Sequence, residues 1–174
     1  ALKDQWKTVE RRKTRAREVA EGIIGDCSLL KVPIDPFMFE KIEYPLITFK
    51  GYDFGKLFDG QLDFHANPGK FILFYNTKYD SPGFQHPRTR FSVAHELGHY
   101  YLEDHHAFLR SGGEIHQSKA EYNSKEIIEI EADSFAAGML MPRKLLLPLI
   151  NKAELSIQKI QEVAEILGTS VLAT

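Results

Sequence analysis

A single cysteine, Cys27, stands among 174 residues, so no intramolecular disulfide is possible. With no disulfide framework, a reducing, cytoplasmic compartment is expected. Long hydrophobic runs are also missing. Nothing approaches the ~20 apolar residues of a membrane span, and the charged, amphipathic N-terminus lacks the apolar core of a secretory signal. No membrane partner is expected. Nor does either sign of charge dominate: 22 Lys and Arg against 24 Asp and Glu leave a net charge of −2. That balance argues against a general nucleic-acid binder, and direct nucleic-acid contact is not expected. Internal repeats and low-complexity segments are absent too. What remains, 43% hydrophobic and 26% charged residues, is the composition of a globular chain able to bury a core of ordinary size.

The most informative segment is His95-Glu96-Leu97-Gly98-His99. On a helix the two histidines share one face with Cβ atoms ~5–6 Å apart, close enough to hold one metal ion. Glu96 sits about 100° further round, where a carboxylate flanks the ion and can take a proton from an activated water. The pattern arises by chance in about one of every few hundred chains of this length, so its surroundings must decide. Phe91, Val93, Ala94, Leu97 and Tyr101 make those surroundings apolar. A Glu between two His in a buried helix is costly without a compensating cation. The segment therefore reads as a zinc site.

Apolar residues from Trp6 to Ile24 recur at helical spacing, and Gly25 can end that helix. Its other face carries Arg11, Arg12, Lys13, Arg15 and Arg17, expected to be solvated and balanced by Glu10, Glu18 and Glu21. Pro36 suits the first turn of a short helix reaching about Ile42. Three β-type runs follow at Leu46–Phe49, Leu62–Phe64 and Phe71–Tyr75, with a tight turn at Asn67-Pro68-Gly69 before the last. Their short spacings predict an antiparallel sheet. The motif helix is expected from about Arg88 to Asp104, and a mobile polar stretch at Ser111–Lys125 could act as a lid. A second strong helix follows from about Lys125 to Met141, ended by Pro142. Beyond Pro148, Ser156 is the expected N-cap of a helix stopped by Gly168. The fold class is thus α+β: mostly helical, with about three antiparallel strands packed on the motif helix and a downstream acidic helix.

A catalytic zinc site needs a third protein ligand. His105 has the six-residue spacing from His99 used where the chain turns sharply after the motif. Tyr100-Tyr101-Leu102 favours a continued helix, however, which would carry His105 about 9 Å along the axis. On the downstream helix, Glu129 and Asp133 are four apart on one stripe. A ligand Glu one turn before an Asp that orients a ligating His is sound metal-site chemistry. Glu131, the fallback ligand, points roughly 160° away, toward solvent or the N-terminal helix. For the oxyanion of an attacked carbonyl, His105, Tyr101 and Tyr122 are the main candidate donors, with His106 and Tyr100 behind them.

Arg88-x-Arg90-Phe91-Ser92-x-Ala94-His95-Glu96-Leu97-Gly98-His99, followed by Glu129-x-x-Ala132-Asp133-x-Phe135-Ala136-x-x-Leu140-Met141-Pro142, resembles the ImmA/IrrE family of metallopeptidases. The resemblance is specific over residues 88–142 and weaker at Val32–Pro36 and the strands. It implies zinc held by His95, His99 and Glu129, Glu96 as catalytic base, and Asp133 where the family has Asn or Asp. It further implies a site-specific endopeptidase whose substrate is a helix-turn-helix repressor or antitoxin. Residues 1–142 would form the zincin-like domain. Residues 143–174 resemble that family's helix-turn-helix-like tail, for which a packing role is expected. The rival reading is a metal-binding regulator that acts on a repressor or DNA without proteolysis. Retention of Glu96 argues against it, since a structural zinc site needs no base.

Overall fold

A computed structural model describes residues 2–113, 122–150, 156–172 and 174. Helix α1 (Leu2–Asp26) presents Ala16, Ala20 and Ile24 to the core. The short α2 (Met38–Ile42) buries Phe39. Three strands follow: β1 (Ile47–Tyr52), β2 (Gly60–His65) and β3 (Lys70–Asn76). Then come α3 (Pro87–Tyr101), α4 (Glu103–Arg110), α5 (Tyr122–Leu140), α6 (Arg143–Ile150) and α7 (Ile157–Leu167). The α+β class holds, as a mostly helical chain with one small sheet.

The sheet is mixed, not antiparallel. Its order is β1-β3-β2, with β3 antiparallel to β2 but parallel to β1. Strand β3, Lys-Phe-Ile-Leu-Phe-Tyr-Asn, is apolar on both faces and takes the centre, as a near-continuous hydrophobic run should. Sequence spacing could not reveal that the segment after β1 passes the end of β3 to reach the far edge. Asn76, 3% exposed, pins that passage: its side chain accepts from the Phe54 N–H and donates to the carbonyls of Gly55 and Phe58.

Helix α3 packs on the inner face of the sheet and on α5, which in turn packs on α1. The core joins Val93, Ala94 and Leu97 of α3 to Phe135, Ala136 and Met139 of α5, and to Ile47, Leu62, Phe71 and Leu73 of the sheet. Burying the larger of these side chains is worth ~1.5–3 kcal/mol each. Gly98 lets α3 and α5 approach closely, since a Cβ there would meet Ala132 Cα and Phe135 Cβ at 3.1 Å.

The motif helix is shorter than expected. It ends at Leu102 (φ −75°, ψ 117°), and the chain starts α4 with Glu103 and Asp104 in the first turn. Leu102 is itself buried, so seating it in the core outweighs the local preference to extend the helix. Of the C-terminal segment, α7 is N-capped by Ser156, whose side chain accepts from the Lys159 N–H, and ends at Gly168 (φ 65°). Buried Arg90 ties that end to the rest: it donates through Nε to the Gly168 carbonyl at 3.0 Å and through Nη2 to the Ile34 carbonyl. Burial pushes the Arg90 guanidinium below its ordinary range.

Candidate metal centre

His95 and His99 leave α3 one turn apart, with their Nε2 atoms 3.1 Å from each other. From α5, Glu129 brings Oε2 to 3.2 Å from His95 Nε2 and Oε1 to 3.7 Å from His99 Nε2. One donor atom from each residue lies within 4.8 Å of the others. Tetrahedral ligands at ~2.0–2.1 Å from a zinc ion stand about 3.3 Å apart. The observed spacings bracket that value, so the donors and their chemistry fit a zinc ion.

The outward-facing ring nitrogens are also engaged. Asp133, one turn after Glu129, stands 2.9 Å from His95 Nδ1. His99 Nδ1 lies 3.1 Å from His105 Nδ1, whose own Nε2 lies 3.0 Å from Glu131 Oε2. Arg12 closes on Glu131 with two bonds of 2.7 Å, from Nε to Oε1 and Nη2 to Oε2. Burial lowers the affinity of His95 for a proton, but Asp133, Glu129 and Glu96 together outweigh it and push its pKa up to about 10. Burial alone would raise the Glu131 pKa, yet His105 and Arg12 hold it below the usual carboxylate range. Three carboxylates around two imidazoles form a surplus of negative charge suited to a divalent cation.

Glu96 is 2% exposed and sits against the first residue of β2. A Cβ on Gly60 would meet its Cγ and Oε1 at 2.9 Å, so a larger residue there would displace this carboxylate. Beside it opens a cleft of about 310 Å³, lined by Phe58, Asp59, Gly60, Phe91 and the two motif residues His95 and Glu96. The geometry places a proton acceptor next to the metal donors and open space next to both.

Several expectations need revision. His105 does not face the metal donors as a ligand: the break at Leu102 returns it to the site, but behind His99. Buried, with its nitrogens engaged by His99 and Glu131, it has no N–H to offer an oxyanion. Tyr101 is likewise committed, donating to Glu43 Oε1 at 2.6 Å while Tyr100 donates to Oε2. Burial and that carboxylate push both phenols up. His106 faces the Tyr100 carbonyl. Tyr122 opens α5, and its side chain, like residues 114–121 of the suggested lid, lies outside the described residues. Glu131 turns to α1, one of the two directions that its position on the helix predicts, and so is not the fallback ligand. Arg12, half-exposed on the basic face, pairs with Glu131 of α5 and not with the glutamates of its own helix. Sequence reasoning missed Gly60 and the pairing of Arg12 with Glu131. The six-residue spacing of His105 signalled the site but not the side from which it approaches.

A paired-histidine helix, a carboxylate from the next long helix and a buried Glu beside them define a candidate divalent-metal site. Residues 62–174 match the Peptidase_M78 family, described as the IrrE N-terminal-like domain. The chain belongs to this family. No curated protein sequence matches it. Among solved structures it is similar to a Mycobacterium tuberculosis transcriptional regulator, with a TM-score of 0.62 at 14% identity. The match covers 94% of this chain and 46% of that one, so the chain spans less than half the neighbour's length. At that identity the likeness concerns the fold. Among the described residues no helix is long and apolar enough to cross a membrane.

Proposed function

We propose that this chain is a cytoplasmic, zinc-dependent endopeptidase that cuts a helix-turn-helix repressor or antitoxin at a specific bond. The observation that carries the reading is the convergence of His95, His99 and Glu129 beside a buried Glu96 that opens on a cleft. Zinc, when bound by those three side chains, supplies the positive charge that acidifies an attacking water and polarises the carbonyl it attacks. Glu96 receives the proton of that water and delivers it to the leaving amine. Asp133 holds the His95 ring by its Nδ1 and so keeps its Nε2 lone pair available. The peptide lies along the cleft between β2 and α3, where the Gly60 end of the strand leaves the approach open. The description of the solved neighbour as a transcriptional regulator fits a substrate drawn from gene control.

The test takes the full chain and its Glu96→Gln variant and mixes each with helix-turn-helix proteins encoded by neighbouring genes. The wild type should cut one of them, and the variant should bind zinc as well while cutting it at least about 10²-fold more slowly. A zinc-loaded wild type that binds one of these proteins without cutting it would overturn the peptidase reading in favour of a non-hydrolytic regulator.

A further inference from the structure

Helix α1 is far from the motif in sequence, yet one of its side chains lies three hydrogen bonds from a metal donor. From His99 the line runs through His105 and Glu131 to Arg12. Every member but the last is buried: His99 0%, His105 2% and Glu131 7% exposed. Resting on the zinc reading above, we propose that His105, Glu131 and Arg12 form a directional strut that fixes His99 as a ligand. These are positioning residues, acting through His99.

The direction follows from donor and acceptor counting. A His99 that gives its Nε2 lone pair to a cation carries its proton on Nδ1. Its neighbour at 3.1 Å, His105 Nδ1, must then accept, which places the His105 proton on Nε2. That proton is donated to Glu131 Oε2 at 3.0 Å, and only an acceptor suits it there. The carboxylate is also gripped by the planar fork of Arg12, two parallel bonds that fix its orientation as well as its charge. Each group thus dictates the tautomer of the one before it. The opposite arrangement, with the His99 proton on Nε2, would leave two ring nitrogens of the same kind facing each other inside the protein, and buried polar groups left so are costly. The break at Leu102 is what makes the strut possible, because a straight α3 would have carried His105 away from the site. Asp133 does the same for His95 in one step. The two histidines are therefore held by different means: one by an exposed acid, the other by a buried line anchored on α1.

The experiment measures the zinc dissociation constant of the full chain by competition with a chromogenic chelator, with circular dichroism to report the fold. His105→Leu removes the acceptor for His99 and should weaken zinc binding about 10–100-fold. His105→Gln offers one amide oxygen to accept and one N–H₂ to donate, the same pair in the same sense. It should recover affinity to within about threefold of wild type. A role limited to filling space predicts the reverse ranking or none. If His105→Leu does not fold, Glu131→Gln takes its place: an amide that accepts from His105 must turn its N–H₂ toward Arg12, so a comparable loss is expected. Variants that bind zinc as tightly as wild type, or Leu and Gln that weaken it equally, overturn the strut alone. A wild type that binds no zinc overturns the metal reading and the strut together.

Discussion

Replacing Gly98 with alanine sets two effects of opposite sign against each other, and the structure says which prevails. In an exposed helix the change stabilises by about 0.5–1 kcal/mol, because glycine loses more backbone freedom on folding. Here the new Cβ would stand 3.1 Å from both Ala132 Cα and Phe135 Cβ, short of the 3.4 Å at which ordinary contact begins. Neither atom is the end of a flexible side chain, so α5 must retreat by about 0.3 Å or more, at an overpacking cost of roughly 1–3 kcal/mol. The net expectation is a loss of up to about 2.5 kcal/mol, centred near 1, seen as a fall of about 2–4 °C in the melting temperature of a chain this size. The larger consequence is local. Glu129 lies one turn before Ala132 and moves with it, while a metal bond tolerates only about 0.2 Å of error. Zinc affinity should fall about 10-fold or more, a loss out of proportion to the stability change. Gly22→Ala on α1 is the control: exposed, with nothing within 4 Å of its Cβ, it should raise the melting temperature and leave zinc binding alone. The assays are chelator competition and thermal denaturation without metal. If Gly98→Ala behaves like Gly22→Ala in both, the contact between α3 and α5 does not position Glu129, and the reasoning fails.

Gly60→Ala should spare zinc affinity but displace the buried Glu96 carboxylate, slowing peptide cleavage about 10²-fold; unchanged cleavage would show that Glu96 has room to spare. The His95 pKa near 10 means that metal must displace a proton across neutral pH. Apparent zinc affinity should therefore rise about tenfold per pH unit from 7 to 9, with about one proton released in calorimetry, and a flat profile would contradict it. The same raised pKa works in the opposite sense on the metal-free fold. Its contribution is full below about 6.5, the unfolded value, and is lost as the pH rises through about 10, so the melting temperature of the metal-free protein should fall over that window.

What the sequence discloses about this molecule follows from the range of the interactions concerned. The faces of α3 and α5 are set by local periodicity, so His95, His99, Glu129 and Asp133 could be placed on two stripes before any coordinates. The Ser156 cap and the Gly168 stop are equally local, and both are where the pattern puts them. The strand partners are not local. Which strand takes the centre depends on how the 53–59 segment crosses β3, and that crossing is held by one buried side chain, Asn76, whose partners lie up to 22 residues away. The end of α3 is hidden for the same reason: Tyr100-Tyr101-Leu102 favours helix by propensity, and the break appears only because Leu102 has a place in the core. Once the chain turns there, His105 meets Glu131 across 26 residues and Glu131 meets Arg12 across 119. A charged residue on an amphipathic helix looks solvated until the fold brings a buried opposite charge beneath it. For Arg12 that charge sits two residues from Glu129, on the opposite face of the same helix. Glu129 and Glu131 thus serve the two sides of α5, one turned toward His95 and His99 of α3, the other toward α1. A helix that carries Glu129 on one face and the partner of His105 on the other cannot shift against α1 without disturbing the His95, His99 and Glu129 cluster.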